Sequence, residues 1–489
     1  MRLPAASPDL FTAKEKLADE LRRMLGAAAV ITDSAELAAY ECDALTAYRQ
    51  PPLLVCLPAS TQDTANAIKI CKKYKAPIVP RGAGTSLAGG SLPVPGCVIL
   101  GVARMKDVLE IDYANRFIRV QSGMTNLSVT NVVEDDGFFY APDPSSQLAC
   151  AIAGNIAMNS GGAHCLKYGV TTNNLLGVRM VTVDGDVVDI GGGYIDEGGL
   201  DLLGLICGSE GQLGVVTEAW LRILPKPEGA RPMLMGFDCS AAAGAAVADI
   251  IKLGVIPVAI EYMDKPAIKV CEAFAKAGYP LDVEALLIIE VEGSDAEIDA
   301  QLEEIKRIAA PHGPRNIREA ASAAESTRIW AGRKAAFGAM GRISDYMCMD
   351  GTIPTSALPQ VLQKIAALSK KHGLGVANIF HAGDGNLHPL ILFDANLPGD
   401  LEKAEAFGAD VLTLCVAVGG CLTGEHGVGV EKRDLMTVQF SAVDLAQMIA
   451  IKDALDPDWL LNPGKVFPLD LSVERAGTES AASNASGQA

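Results

Sequence analysis

Ten residues, Phe380 to Pro389, read F-H-A-G-D-G-N-L-H-P and limit what this chain can fold into more than any other stretch. V-A-N-I-F leads in and P-L-I-L-F leads out, both β-prone, and Gly383, Asp384, Gly385 and Asn386 between them are turn formers. The pattern predicts a β-hairpin. Symmetric pairing about the turn sets His381 opposite His388 with Cβ atoms roughly 5 Å apart, near enough for two imidazoles to share one divalent ion. A catalytic zinc takes three protein ligands and keeps one position open. Glu425, in a second motif G-E-H-G-V-G, is the candidate third ligand, which leaves His426 free as a base. The simpler alternative is a metal-free hairpin turn with its histidines satisfied in a core. Two histidines flanking one turn, with Glu-His between glycines elsewhere, weigh towards the metal.

The 489 residues exceed what one hydrophobic core usually supports, so at least two domains are expected. Lys plus Arg number 41 against 59 Asp plus Glu, and the net charge of −18 argues against nucleic acid or an anionic membrane as the main partner. The beginning, M-R-L-P-A-A-S-P-D-L, has no continuous apolar core, and the longest apolar candidate, Val411 to Leu422, falls short of the roughly 18 residues of a membrane span. A cytoplasmic protein is expected, reaching a membrane only through partner subunits. None of the 12 cysteines forms C-x-x-C, which argues against an iron–sulfur cluster or a thiolate zinc site within this chain.

Along the chain, residues 1–50 predict a helical segment in which Leu17, Leu21 and Leu25 share a face. A β-α-β opening follows from about Pro51, and its second strand, A-P-I-V-P, runs into the glycine-rich loop Arg81 to Ser91, whose backbone N–H groups and hydroxyls suit a pyrophosphate. A-P-D-P-S-S, G-N-I-A-M-N-S-G-G-A-H and G-S-E-G-Q-L-G are three more small-residue segments beside strand-like sequence. No segment fits G-x-G-x-x-G, which disfavours a Rossmann NAD site. P-K-P-E-G-A-R-P, from Pro225 to Pro232, is the best domain break, and strand–helix alternation beyond it predicts an α+β domain with an antiparallel sheet. Residues 469–489 are small and polar and are expected to be a disordered tail.

These motifs, with N-P-G-K near the end and Y-E-C-D, H-C-L-K-Y-G, W-A-G-R-K and C-M-D-G-T-I-P in order between them, resemble the FAD-linked oxidase family of the vanillyl-alcohol oxidase fold, and within it the FAD-binding subunits of bacterial glycolate oxidases. The resemblance runs from about Glu41 to Pro468. It implies an α+β architecture: a two-subdomain FAD-binding domain of the PCMH type over 51–227, then a substrate and metal domain over 228–468. It places FAD against Pro80, Arg81, Gly82, Ala83, Gly84, Thr85 and Ser86; Pro142, Asp143, Pro144 and Ser145; Gly154, Asn155, Asn159, Gly161 and Gly162; Glu210, Gly211, Val215 and Val216; and Asn462. Covalently flavinylated members carry a histidine where Thr85 stands, so dissociable FAD is implied. His381, His388 and Glu425 match the ligands of a divalent metal, usually zinc, His426 matches the base, and Arg333 matches an arginine on the substrate carboxylate, with Arg342 a second candidate contact.

The implied activity is oxidation of a small 2-hydroxy acid, most closely glycolate to glyoxylate, with D-lactate as the runner-up. Cys348 stands where 2-hydroxyglutarate dehydrogenases carry a lysine, and Phe337 near their threonine, which disfavours 2-hydroxyglutarate. Electrons are expected to leave FAD through a second FAD-binding-type subunit and an iron–sulfur subunit towards a respiratory acceptor. Two other classes stay open on the residues alone: a flavin-free metal hydrolase, which would be colourless, and a non-catalytic FAD-binding scaffold.

Overall fold

The computed structural model describes residues 2–194 and 198–470. The β-α-β opening is Leu54–Cys56, helix Thr61–Lys73 and Ile78–Arg81, with Ser60 Oγ capping the helix by accepting from Asp63 N at 3.1 Å. Both strands lie parallel to Val98–Gly101, which sits between them, and Val30–Ile31 closes the sheet. The N-terminal helix Pro8–Leu25 packs on this layer through Leu17 and Leu21, both fully buried, while Leu25 is half-buried. A second sheet is antiparallel throughout, in the order Val108–Asp112, Phe117–Gln121, Val215–Arg222, Leu175–Val181, Val187–Gly191.

Seven antiparallel strands form the third sheet: Arg315–Glu319, Gly229–Phe237, Ala285–Gly293, Ala259–Asp264, Val376–His381, Pro389–Phe393 and Asp345–Cys348. Helices cover both faces, which is why Ala285–Gly293 reads A-L-L-I-I-E-V rather than alternating with polar residues. Leu287 and Ile289 pack towards Val247 and Val361, and Leu286 and Ile288 towards Ile268 and Ile329. Helices Ser240–Lys252 and Asp295–Ala309 belong to the strand–helix alternation beyond the Pro-rich break; Gly254, at φ +84°, follows the end of the first.

Two expectations change. The hairpin exists, but its register pairs Asn378 with Pro389 and His381 with Asn386, so His381 does not lie opposite His388. The C-terminal stretch also leaves the second domain: Ile78 N donates to Leu460 O and Asn462 N to Ile78 O, both at 2.7 Å, adding Leu461 to the first sheet. Lys452, fully buried, fixes this return by donating to Gln212 O, Leu461 O and the Asp456 carboxylate. The tail expected to be disordered lies, from residue 471, outside the described residues.

Candidate active site

A cavity of about 380 Å³ runs between the glycine-rich loops and the seven-stranded sheet. Its first wall is Pro80 to Ser86, delivered by the end of strand Ile78–Arg81, together with Pro144, Ser145, Gly154, Asn155, Gly211, Val215 and Val216. Glycine is needed at Gly84, which has φ +76° and where a Cβ would lie 2.1 Å from the Arg81 guanidinium. Close backbone and several small side chains make this wall a cradle for an extended phosphate-bearing group. Buried Glu210 accepts from Val428 N at 2.6 Å and Gly429 N at 2.8 Å, and Asn462 Nδ2 donates to Gly90 O at 2.9 Å and Glu210 O at 2.6 Å. These two side chains line the cavity and tie three loops together.

His381, His388, Glu425 and His426 form the opposite wall. The two hairpin imidazoles have centroids 5.1 Å apart at 87°, and their Nε2 atoms converge on Glu425 Oε1 at 3.4 and 3.0 Å. Each Nδ1 faces away: that of His381 lies 2.7 Å from Glu261 Oε1, and that of His388 donates to Met349 O at 3.3 Å. Nδ1 held by an acceptor and Nε2 turned to a shared point is the arrangement a divalent ion requires of histidine. The three ligand atoms lie within 4.8 Å of one another, and one carboxylate with two imidazoles suits zinc. Burial disfavours the charged Glu425, yet the hydrogen bonds and charges of His381 and His388 hold its carboxyl well below the usual range. Burial likewise opposes a charged His381, but Glu261 pushes it well above the ordinary imidazole value.

Asp350, fully buried, shapes the loop that carries Glu425 and His426. Its carboxylate accepts from Gly424 N at 3.0 Å, Glu425 N at 3.2 Å and His426 N at 2.9 Å, and from the Thr423 hydroxyl. The His426 ring stacks on His388 at 4.8 Å and 8°, and burial pushes it down to about 4, so it is neutral and able to accept a proton. Its Nδ1 is buried and without a hydrogen-bond partner among the described residues.

Several expected site residues lie elsewhere. Arg342 is exposed on the surface with its guanidinium 4.7 Å over the Phe274 ring, away from the cavity. Arg333 is 3% exposed and does not reach the wall, because its Nε and Nη2 both lie 2.7 Å from Glu261 Oε2. Pro142, Asp143, Asn159, Gly161 and Gly162 stand behind the lining: Asp143 is paired with His164 at 3.0 Å, Asn159 Oδ1 accepts from Thr172 N at 2.9 Å, and a Cβ on Gly161 would lie 2.8 Å from Glu425 Oε2. Glu261 and Asp350 are the residues the sequence did not single out. Their one signal is an acid within an apolar run, I-E-Y-M and C-M-D-G, which burial obliges to find partners.

A mixed sheet, an antiparallel sheet and a cavity closed by a third sheet make a two-part fold around one cofactor-sized site, and comparison with known proteins gives its class, the flavin-dependent oxidoreductases. Residues 52–191 match the family described as "FAD binding domain", and residues 226–466 match "FAD linked oxidases, C-terminal domain". The "Glycolate oxidase subunit GlcD" of Escherichia coli K12 is 48% identical over 468 residues, covering 96% of this chain and 93% of that protein. The "D-lactate dehydrogenase" of Anaerostipes hadrus is 30% identical, covering 83% and 88%. Among solved structures, a 4-ethylphenol oxidase from Gulosibacter chungangensis superposes with a TM-score of 0.80 at 17% identity, covering 96% of this chain and all of that one. The chain belongs to the FAD-linked oxidases, with the fold of the vanillyl-alcohol oxidase flavoproteins. No helix among the described residues is long and apolar enough to cross a membrane.

Proposed function

We propose that this chain oxidises a small 2-hydroxy acid to the 2-oxo acid, glycolate to glyoxylate first and D-lactate second, and passes the electrons to a partner protein. The observation that carries the reading is the placement of His426, neutral and buried, beside two imidazoles and a carboxylate that converge on one point of the cavity whose other wall is the glycine-rich cradle. The glycine-rich cradle would hold FAD, which would supply the hydride acceptor, and His381, His388 and Glu425 would hold a divalent ion, which would supply Lewis acidity. His426 takes the hydroxyl proton, and the Asp350 carboxylate keeps the 423–426 loop, and with it His426, in place. Phe337 and Tyr346, with ring centroids 6.2 Å apart, also line the cavity and add apolar bulk to its wall, which supports a small substrate.

The GlcD relative is named as a subunit of glycolate oxidase, and this sequence has no C-x-x-C. Both support electron transfer through a second FAD-binding-type subunit and an iron–sulfur subunit. The test is the visible spectrum of the purified protein under anaerobic conditions. Bleaching of the flavin by glycolate is expected, bleaching by D-lactate alone moves the substrate to the second reading, and bleaching by neither rejects the reaction.

A further inference from the structure

We propose a second cation site, for a soft divalent ion such as cadmium, on the edge of His388 and His426 that faces away from Glu425, with Cys348 as its thiolate ligand. The two stacked rings offer two edges. Nε2 of each lies towards Glu425 Oε1, at 3.0 Å for His388 and 3.8 Å for His426, and Nδ1 of each lies 3.9 Å from Asp350 Oδ1. Cys348 ends strand Asp345–Cys348, which pairs with the strand that begins one residue after His388. That pairing sets the thiol on the Nδ1 edge, where Cys348 Sγ and His388 Nδ1 both point at Met349 O, at 3.5 and 3.3 Å. One donor atom each from Cys348, His388 and His426 lies within 4.8 Å of the other two, and His426 Nδ1 has no hydrogen-bond partner among the described residues. A thiolate with two imidazoles is a softer set than the carboxylate with two imidazoles of the first site, and it suits a thiophilic ion. Asp350, fully buried, adds negative charge beside it; the Lys432 ammonium, 3.9 Å from the other Asp350 oxygen, is paired with Glu431 at 2.7 Å.

The two sites exclude each other. A neutral imidazole has one free lone pair, so His388 serves either Nε2 with His381 and Glu425 or Nδ1 with Cys348 and His426. At the second site the ion displaces the Cys348 thiol proton to solvent, both ring protons move from Nδ1 to Nε2, and the weak bonds to Met349 O are lost. His388 Nε2 then donates to Glu425 Oε1, 3.0 Å away. His426 carries its proton on the nitrogen nearest the first site and has no lone pair there for a substrate hydroxyl. An ion at the first site leaves the base free, and a softer ion at the second removes it. This effect on turnover rests on the 2-hydroxy-acid reading; the site itself does not.

The test uses the FAD-loaded protein, stripped of metal with a chelator and reloaded with equimolar zinc chloride or cadmium chloride. Cadmium is expected to add a thiolate-to-metal charge-transfer band to the ultraviolet difference spectrum, and Cys348→Ala to lack it. Under anaerobic conditions glycolate should bleach the cadmium form about 10²- to 10⁴-fold more slowly than the zinc form, the factor a general base contributes. His426→Asn keeps the buried thiol in place and serves where Cys348→Ala disturbs packing. It should weaken cadmium binding by about 10- to 100-fold or more, because it removes a ligand rather than a supporting partner. Absence of the band, or a band as strong in Cys348→Ala as in the unsubstituted protein, overturns the site. A cadmium form that bleaches at the zinc rate overturns the loss of the base. If neither glycolate nor D-lactate bleaches the zinc form, the 2-hydroxy-acid reading fails, and the band still decides the site.

Discussion

Glu261 and His381 are direct cross-strand partners, with Oε1 of the one 2.7 Å from Nδ1 of the other. The second oxygen of Glu261 takes Arg333, so a fully buried carboxylate is balanced on one side by an imidazole and on the other by a guanidinium. This contact turns Nε2 of His381 towards Glu425. Such supporting carboxylates typically change metal affinity by about 10- to 100-fold. Glu261→Gln is expected to lose metal by that factor while retaining FAD. Metal per chain after dialysis against a graded chelator, with flavin absorbance as the control, measures it; equal metal retention would mean that His381 is not a ligand.

His426→Asn keeps the size and a polar tip of the side chain and removes the proton acceptor. A general base typically contributes about 10²- to 10⁴-fold, so anaerobic flavin reduction should slow by that order. FAD content should not move, because His426 is fixed by Asp350 from behind and not by the cradle. Reduction at the unsubstituted rate would take the base role from His426.

Thr85 stands on the cavity wall, and its hydroxyl is not the imidazole nitrogen that the resemblance to covalently flavinylated proteins would place there. Acid or heat precipitation is expected to leave the flavin in the supernatant and a colourless pellet. Yellow colour remaining with the washed pellet would show a covalent link through another residue.

The meeting of His381 and His388 was legible because turn chemistry is local. Gly383 to Asn386 announce a hairpin, and side chains alternate with a period of two. A register displaced by two residues, as found, leaves His381 and His388 on the same face and so still brings their rings together. The direction of Arg333 was not legible for the opposite reason: a helix turns 100° per residue, and nothing in W-A-G-R-K-A-A-F says which side faces the cavity, while Arg342 lies in the turn after the next helix, Ala336–Met340. Glu261 meets His381 across 120 positions and Asp350 meets His426 across 76. Ile78 meets Leu460 and Asn462 from the far end of the chain. Contacts of that span leave no periodic mark, so the acids could be flagged as unusual in apolar runs but not given partners.

His164 joins the FAD-binding half to the seven-stranded sheet. Its ring lies 3.0 Å from Asp143 Oδ2 and 3.2 Å from Glu290 Oε2, and Glu290 also accepts from Trp330 Nε1 at 2.7 Å. One turn further on, Lys167 pairs with Glu292 at 2.8 Å and the Tyr168 hydroxyl donates to the same carboxylate. Burial opposes charge on the imidazole, but Asp143 and then Glu290 raise it from 6.5 to about 10. The folded state therefore binds a proton more tightly than the unfolded chain. The stabilisation is complete below about pH 6.5 and is lost as pH rises through about 10. The side chain is 26% exposed, so solvent screening reduces the effect to on the order of 1–2 kcal/mol. His164→Gln removes the titration. Denaturant unfolding between pH 6.5 and 10 is expected to show the unsubstituted protein losing stability relative to the variant across that window, and parallel curves would mean that the clasp carries no proton.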